Sequence, residues 1–168
     1  MPRAAGGRWS RAWAAITGWV VQIVAFEVGR QRFGVPAGAV ERVVRAVATT
    51  PAPKAPAVIA GMINVAGEPV AVLDLRRRFG QRPKPVALDE VMILARVRAR
   101  SVAIRADRVT GIVEADPGDV RAAGRVTAMA AEVAGVLALP EGLLLISDPD
   151  AFLTQAEAAE VDRLAVDS

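Results

Sequence analysis

The segment 61–80 constrains the fold of this chain more than any other stretch, because most of its local structure can be read from its residues. Met62–Val65 and Val70–Leu73 are short apolar runs separated by four residues, and Gly67 between them can adopt the positive φ that a tight turn requires. Asp74 follows directly and occupies the N-cap position of a short helical turn. The segment therefore predicts a β-hairpin followed by a capped helical turn.

This segment resembles the signature of CheW-like domains, the adaptor and scaffold modules of bacterial chemosensory signalling. The residues that match the family pattern are Gly61, Ile63, Asn64, Gly67, Val72, Asp74, Leu75, Arg76, Phe79 and Gly80. Two residues depart from the pattern: Ala66 replaces an Arg, and the Pro has moved from the strand centre to position 69. The resemblance continues from Val20 to Leu153, with Arg42 replacing a Glu of the family pattern.

The rest of the chain reads mainly as strands and turns. Valines at positions 40, 43, 44 and 47 recur at three- and four-residue spacing, which predicts a short amphipathic turn with its valine face inward. Asp148 is expected to cap a C-terminal helix with Pro149 at its first position. Apolar runs predict strands at Val20–Val28, Phe33–Pro36 and Val91–Ala95, at apolar positions between 102 and 113, and in a last hairpin between Gly135 and Ile146.

The resemblance implies an all-β fold of two intertwined five-stranded SH3-like β-barrels, with a short helical turn and a C-terminal helix. We expect a poorly ordered leader at 1–19, a CheW-like domain at 20–155 with a boundary between its barrels near 81–90, and a C-terminal helix or tail at 156–168. Prolines predict two loops: Thr50–Pro56, whose Pro-x-x-Pro spacing also occurs in ligands of aromatic grooves, and the segment 81–88.

The charge of the chain is unevenly distributed. Residues 1–110 carry 18 Lys and Arg against 7 Asp and Glu, a net charge of +11, whereas residues 111–168 carry 3 against 11, a net charge of −8; together these give +3. If the two halves are neighbours in space, much of this difference cancels, which weakens the argument for nucleic-acid binding from a pI near 10.5. A small basic barrel that binds nucleic acid through Arg76–Arg78, Arg82 and Lys84 is the alternative function. A solvated face, or an Arg76 held by Asp74, explains the same residues.

All three tryptophans, Trp9, Trp13 and Trp19, lie in the first nineteen residues, beside three arginines and no acidic residue. A helix would place Trp9 and Trp13 on one face, as in segments that lie at a membrane interface or in a partner's groove. A partly ordered leader, a start codon placed too early and a signal peptide are the alternatives.

The residue types exclude much catalytic chemistry. The chain has no Cys and no His, which removes thiol nucleophiles, disulfides, Cys/His zinc sites and the commonest general base near neutral pH. The remaining candidates are the carboxylates of Glu68, Asp74 and Asp107 and the hydroxyls of Ser101 and Ser147, without a phosphate-binding loop or metal-binding spacing beside them. We therefore expect a protein that is not an enzyme and that uses no cofactor and no metal.

The resemblance implies a cytoplasmic adaptor at chemoreceptor clusters, which couples the cytoplasmic tip of a chemoreceptor to the regulatory domain of a CheA-type histidine kinase. The partner-binding positions that it implies are Val40, Arg42, Gly61, Asn64, Val65, Ala66, Gly67 and Val91. Turn geometry explains the two glycines equally well, and core packing explains Val40 and Val91. Because position 66 lacks the expected Arg and position 42 has a reversed charge, we expect weak or altered coupling to the kinase, with co-adapted partners as the alternative.

Overall fold

The computed structural model describes residues 20–122 and 133–167, in which strands dominate. The strands are β1 (Val21–Val28), β2 (Gln31–Pro36), β3 (Val40–Arg45), β4 (Ile59–Val65), β5 (Glu68–Leu73), β6 (Val91–Val97), β7 (Arg100–Ala106), β8 (Arg108–Ala115), β9 (Arg121–Ala122), β10 (Val133–Leu139) and β11 (Gly142–Ser147). The α-helices are α1 (Leu75–Arg78) and α2 (Gln155–Asp167), and 3₁₀ turns lie at Ala37–Ala39, Pro117–Asp119 and Pro149–Phe152. The Trp-containing leader and most of the stretch 122–134 lie outside the described residues. No helix in the described ranges is long and apolar enough to cross a bilayer.

The strands form two sheets, and each sheet contains strands from both halves of the chain. One sheet has the order β8-β1-β2-β11-β10-β9 and the other the order β3-β6-β7-β5-β4. Because β9 has only two residues, each sheet has five strands of substantial length, and the predicted pair of intertwined five-stranded units is confirmed. The predicted boundary near 81–90 separates two stretches that contribute to one sheet, since β5 and β7 on its two sides pair with each other.

The two sheets repeat one arrangement. Hairpin β1–β2 joins β11 through a parallel pairing, and β11 pairs with β10. In the same way, hairpin β6–β7 joins β5 through a parallel pairing, and β5 pairs with β4. Each sheet therefore contains a hairpin from one half of the chain and further strands from the other half, so neither half can complete a sheet alone.

Both sheets curl until their ends approach each other. Strands β3 and β4 stand at opposite ends of their sheet, yet Thr50, which follows β3, forms a bridge with Met62 of β4. Each of these two residues donates its N–H to the other's carbonyl at 2.8 Å. In the other sheet, the 3₁₀ turn Pro117–Asp119 leads from β8 at one end to β9 at the other. The sheets are thus barrel-like.

Alternation along the strands divides the side chains between three apolar clusters. On β1, Ile23 lies in a cluster within its own sheet, whereas Val24 and Phe26 lie in the largest cluster, to which strands of both sheets contribute. Phe26, Phe33 and Phe79 stack in this shared core, with ring centroids 5.8 and 4.9 Å apart. Burial of one such aromatic side chain contributes about 1.5–3 kcal/mol, so the shared core ties the two barrels together.

The valine-rich stretch 40–47 begins as a strand, which corrects the amphipathic turn that its spacing predicts. Strand β3 pairs antiparallel with β6, with Val40 opposite Ala95. Val44 packs inward, but Val43 is 42% and Val47 is 45% exposed, so no single valine face is buried. β-Branched residues favour strands, and the edge of β6 supplies the hydrogen-bonding partner that a local pattern cannot show.

The C-terminal helix begins at Gln155 rather than at Pro149, which corrects a second expectation. Asp148 does cap a helical turn, but this is the 3₁₀ turn that precedes α2. Thr154 caps α2 in a reciprocal arrangement: its N–H donates to Glu157 Oε1 at 2.8 Å, and the N–H of Glu157 donates to its Oγ1 at 3.1 Å.

Ion pairs join the basic first half of the chain to the acidic second half. Arg78 pairs with Glu157, and Arg100 Nε lies 2.8 Å from Asp162 Oδ1. Both carboxylates belong to α2, so these pairs help to dock the helix. The charges of the two halves therefore cancel in part, where α2 is docked.

Candidate partner-binding surface

The β4–β5 hairpin ends in a two-residue turn. Ala66 and Gly67 have φ angles of +51° and +87°, and Val65 pairs with Glu68, as in a type I′ turn. Asn64 Oδ1 accepts the N–H of Gly67 at 2.8 Å and so stabilises the turn. The turn is shorter than the four-residue connection that the sequence suggests, since Glu68 already belongs to β5.

Ala66 is exposed at the tip of this hairpin in a left-handed conformation. For a residue with a Cβ atom this conformation costs on the order of 1 kcal/mol. The cost does not depend on what lies beyond Cβ, so an Arg fits here with the same turn. The side chain at position 66 is therefore accessible to a partner, whichever residue stands there.

Gly61 lies where the chain after β3 crosses close to β4. A Cβ atom at this position would lie 2.3 Å from the carbonyl oxygen of Thr50 and 2.6 Å from Cγ2 of Thr49. This approach allows the Thr50–Met62 bridge to form. The absence of a side chain at position 61 therefore determines where the Pro-rich loop is held against the hairpin.

A groove of about 600 Å³ lies between this loop, the hairpin and α2. It contains two of the predicted partner-binding residues, Asn64 and Gly67, and its other lining residues include Thr50, Pro51, Met62, Pro69 and Leu164. The sequence does not reveal these additional residues, because they belong to three elements that meet only in the folded chain.

The remaining predicted positions form a second group on β3 and β6. Val40 and Val91 are partly buried and pack against the shared core, whereas Arg42 is exposed. In the strand order of the sheet, β3 lies at the opposite end from β4. The structure thus brings together Gly61, Asn64, Val65, Ala66 and Gly67 on one hairpin, whereas Val40 and Arg42 lie on β3 and Val91 lies on β6.

A buried ionic cluster holds the elements that flank this surface. Arg105 donates through Nε and Nη2 to the two carboxylate oxygens of Glu90, at 2.9 and 3.1 Å, and through Nη1 to Asp74 Oδ2 at 3.3 Å. All three residues are at most 4% exposed. Asp74 also accepts the N–H of Arg76, so the predicted N-cap of α1 is confirmed. An Arg that directly follows the apolar run Val102–Ile104 of β7 is the sequence signal that could have indicated such a cluster.

Asp107, in the turn between β7 and β8, binds two further elements. Arg76 Nη2 donates to both of its carboxylate oxygens, at 2.8 and 2.7 Å, and the N–H of Gly29 donates to Oδ2 at 2.7 Å. Arg76 is therefore held by Asp107 and not, as expected, by the side chain of Asp74. The contacts tie α1 and the β1–β2 turn to the turn between β7 and β8.

The electrostatics of Asp107 predict a pH-dependent contribution to stability. Burial raises the pKa of Asp107, but hydrogen bonds from Arg76 and Gly29 and the charges of Arg76 and Lys84 outweigh burial, so the pKa lies below its usual value of 3.8. Because the folded-state pKa is lowered, the contribution is fully present above the unfolded-state pKa and is lost as the pH falls through the folded-state pKa.

Asp107→Asn is therefore expected to lower the free energy of unfolding by about 1–3 kcal/mol at pH 7, with the difference from the parent shrinking below pH 3.8. Urea unfolding followed by circular dichroism across this pH range measures the effect. Asp162→Asn is the matched control, because this carboxylate also pairs with an Arg but is 60% exposed, and its loss should cost under about 1 kcal/mol. A constant difference at all pH values would contradict this role for Asp107.

The basic run Arg76–Arg78 is paired with carboxylates of the chain itself. Arg77 Nε lies 3.4 Å from Asp74 Oδ2, Arg78 pairs with Glu157, and Arg76 is bound by Asp107. This run is therefore not a free cationic surface of the kind that contacts phosphates.

The candidate hydroxyls also have structural partners. Ser101 Oγ donates to Glu41 Oε1 at 2.7 Å on the exposed edge of β7, and the buried Ser147 Oγ donates to the carbonyl of Leu145. Within residues 20–122 and 133–167, no three side chains of the types Asp, Glu, His and Cys are grouped so that they could hold a metal ion.

Comparisons with known proteins agree with the hairpin signature and the fold. The family model described as CheW-like domain matches residues 22–157. Chemotaxis protein CheW of Rhizobium meliloti (strain 1021) is 32% identical over 100 residues, which are 60% of this chain and 64% of that protein. Chemotaxis protein CheW of Klebsiella aerogenes is 27% identical over 146 residues, 86% of this chain and 88% of that protein.

The crystal structure of the scaffolding protein TtCheW from Thermoanaerobacter tengcongensis is similar, with a TM-score of 0.74 and 24% identity over 82% of this chain and 94% of that one. This likeness confirms the SH3-like all-β fold. The family model covers the described strands, apart from Val21 at the start of β1, and the beginning of α2. The chain therefore belongs to the CheW-like domain family.

Proposed function

We propose that this protein is a non-catalytic adaptor of bacterial chemosensory signalling. It binds the cytoplasmic tip of a chemoreceptor and the regulatory domain of a CheA-type histidine kinase, and it holds them in one assembly at chemoreceptor clusters in the cytoplasm. Family membership and the names of the relatives support this role. An adaptor acts through surface complementarity and needs no reacting group.

The observation that carries the proposal is the β4–β5 hairpin, which combines the family signature with an exposed tip and an adjoining groove. Its turn is fixed by Asn64, and its approach to the neighbouring loop depends on Gly61. We assign partner binding to Gly61, Asn64, Val65, Ala66 and Gly67 on the hairpin, together with Val40, Arg42 and Val91 on β3 and β6. Asn64 and Gly61 act by shaping the surface, since both have structural roles.

The coupling to the kinase is expected to be weak in this protein. At the tip, Ala66 offers a methyl group where an Arg would offer a guanidinium that can donate two hydrogen bonds to one carboxylate. On β3, the exposed Arg42 repels any cationic group that is matched to a carboxylate at this position. We assign these two positions to the kinase interface, so we expect receptor binding to be retained.

Ala66→Arg is therefore expected to strengthen binding of the kinase regulatory domain about 10- to 100-fold, or ~1.4–2.8 kcal/mol, and to leave receptor binding unchanged. Calorimetric titrations against the receptor tip and the kinase domain encoded beside this protein measure both affinities.

Ala66→Gln, which adds a side chain without charge, and Leu88→Arg, which adds the same charge at an 82% exposed position elsewhere, are the controls. Tight kinase binding by the unchanged protein would refute weak coupling and indicate co-adapted partners. Binding to neither protein would refute the adaptor role itself.

A further inference from the structure

The C-terminal segment is attached to the barrels in two ways that differ in strength. The 3₁₀ turn Pro149–Phe152 is anchored by bulky side chains, since Phe152 and Leu153 are at most 1% exposed in the shared core. This part also binds the turn between β6 and β7: Asp150 Oδ1 accepts the N–H of Arg98, and the carbonyl of Leu153 accepts its Nε–H, both at 2.6 Å. The first part of the segment is therefore fixed to the β6–β7 hairpin.

Helix α2, the second part, buries much less apolar surface for its length. Over residues 155–166, where the structure describes its side chains, the buried ones are Ala158 and Val161, and both are small. Leu164 packs against the same shared core but is only partly buried. Because stabilisation by burial scales with apolar area, the docking of α2 is weak compared with that of the turn before it.

The ion pairs that dock α2 compensate for this only in part. Arg100 pairs with Asp162, whose side chain is 60% exposed, so water and salt weaken the contact. Arg78 pairs with Glu157, but its Nε is buried and forms no hydrogen bond within the part of the chain that the structure describes. A buried donor without an acceptor opposes docking, because the donor regains water when the helix leaves.

The link between the two parts is suited to a hinge. Leu153 has extended backbone angles, and Thr154 is exposed. The capping hydrogen bonds between Thr154 and Glu157 lie within the segment itself, so they do not hold α2 to the barrels. A backbone rotation at 153–154 therefore moves α2 while Phe152 stays in the core.

We propose that α2 is a hinged wall of the groove beside the β4–β5 hairpin, and that it leaves the barrels while both sheets stay folded. Leu164 lines this groove together with the Pro-rich loop and the hairpin, so the groove has all its walls only while α2 is docked. Release of α2 also frees Arg100, whose Nη1 donates to the carbonyl of Arg98 in the left-handed β6–β7 turn. This opening is a property of the chain alone and does not depend on a receptor or a kinase.

Thiol labelling tests the opening, because the chain contains no cysteine of its own. Ala158→Cys places a thiol beneath α2 at a 3% exposed position, and Val161→Cys is a second, volume-reducing probe of the same face. Ala103→Cys places a thiol in β7 at a 0% exposed position, in a cluster to which α2 does not contribute. Ala159→Cys, exposed on α2, gives the rate of an unprotected thiol.

The expected result in dilute buffer is that the thiols at 158 and 161 react with DTNB about tenfold or more faster than the thiol at 103, and more slowly than the thiol at 159. Urea distinguishes local release from unfolding of the whole domain. Labelling at 158 should change little at low urea, because the release of one helix exposes little surface, whereas labelling at 103 should rise steeply from the start.

The ion pair with Arg100 gives a second readout. Asp162→Asn should raise the labelling rate at 158 about three- to fivefold, because it removes a carboxylate that accepts two hydrogen bonds from Arg100. Glu160→Gln is the matched control, since its partner Arg163 lies on α2 itself, and the rate should change less than about twofold. Urea unfolding of each variant, followed by circular dichroism, gives the global stability with which the rates are compared.

Three results would overturn the proposal. Equal labelling rates at 158 and 103, with the same urea dependence, would show that α2 leaves only when the barrels unfold. Labelling at 158 as fast as at 159 in dilute buffer would show that α2 is not docked. Equal effects of Asp162→Asn and Glu160→Gln would show that release of α2 does not break the pair with Arg100.

Discussion

Arg105→Met is expected to lower the free energy of unfolding by about 3–5 kcal/mol, a large share of the ~5–15 kcal/mol that stabilises an ordinary domain. The substitution leaves the carboxylates of Glu90 and Asp74, each 2% exposed, without the guanidinium that pairs with both. It also removes the donor to the carbonyl of Pro85, so the segment 81–90 loses an anchor. Urea unfolding at pH 7, followed by circular dichroism, measures the loss.

Two comparisons separate this effect from a general effect of removing an Arg. Arg96→Met removes a side chain that is 56% exposed and 3.9 Å from Glu41, and it should cost under about 1 kcal/mol. Adding Glu90→Gln to Arg105→Met should recover part of the lost stability, because one of the two unpaired buried carboxylates is then neutral. If Arg96→Met and Arg105→Met lowered the free energy of unfolding equally, the buried cluster would contribute no more than an exposed ion pair.

Gly61→Ala is expected to lower the free energy of unfolding by about 2–5 kcal/mol. The loss comes from overpacking and from disruption of the hydrogen bonds of the Thr50–Met62 bridge. The added methyl group cannot remain 2.3 Å from the carbonyl oxygen of Thr50, so the loop must move away from β4. Hydrogen exchange should show faster exchange of the Thr50 and Met62 amides, both of which are bonded in the bridge. Binding to partners that use the groove should weaken as its wall moves.

Gly111→Ala is the matched control for this substitution. Gly111 has a φ of +142°, close to the +155° of Gly61, but a Cβ atom there has no heavy atom within 4 Å. The control therefore measures the backbone cost alone, on the order of 1–2 kcal/mol. If both variants lose the same stability, the close approach of the loop is not what requires glycine at position 61.

The sequence by itself determined the elements whose signals act over a few residues. The hairpin was predictable because Gly67 permits a left-handed turn between two apolar runs, and α1 because Asp74 can satisfy free N–H groups next to it. The family signature lies in this same segment, so the sequence indicated the hairpin of the candidate surface, whereas most residues that line the adjoining groove were not indicated. The prediction for the stretch 40–47 was wrong because three- and four-residue spacing in a short valine run does not distinguish a helical turn from a strand.

Only the tertiary structure decided which elements meet. The sequence places Arg76 near Asp74, but in the folded chain its partner is Asp107, 31 residues away. The pairing of Arg105 with Glu90 and Asp74, and the contact of the Pro-rich loop with β4, also join residues that are distant in the sequence. The exchange of hairpins β1–β2 and β6–β7 between the two sheets is likewise set by pairing of strands that are distant in the chain. Local backbone preferences act between neighbours, whereas ion pairs, strand partners and groove walls depend on distances that exist only after the core has formed.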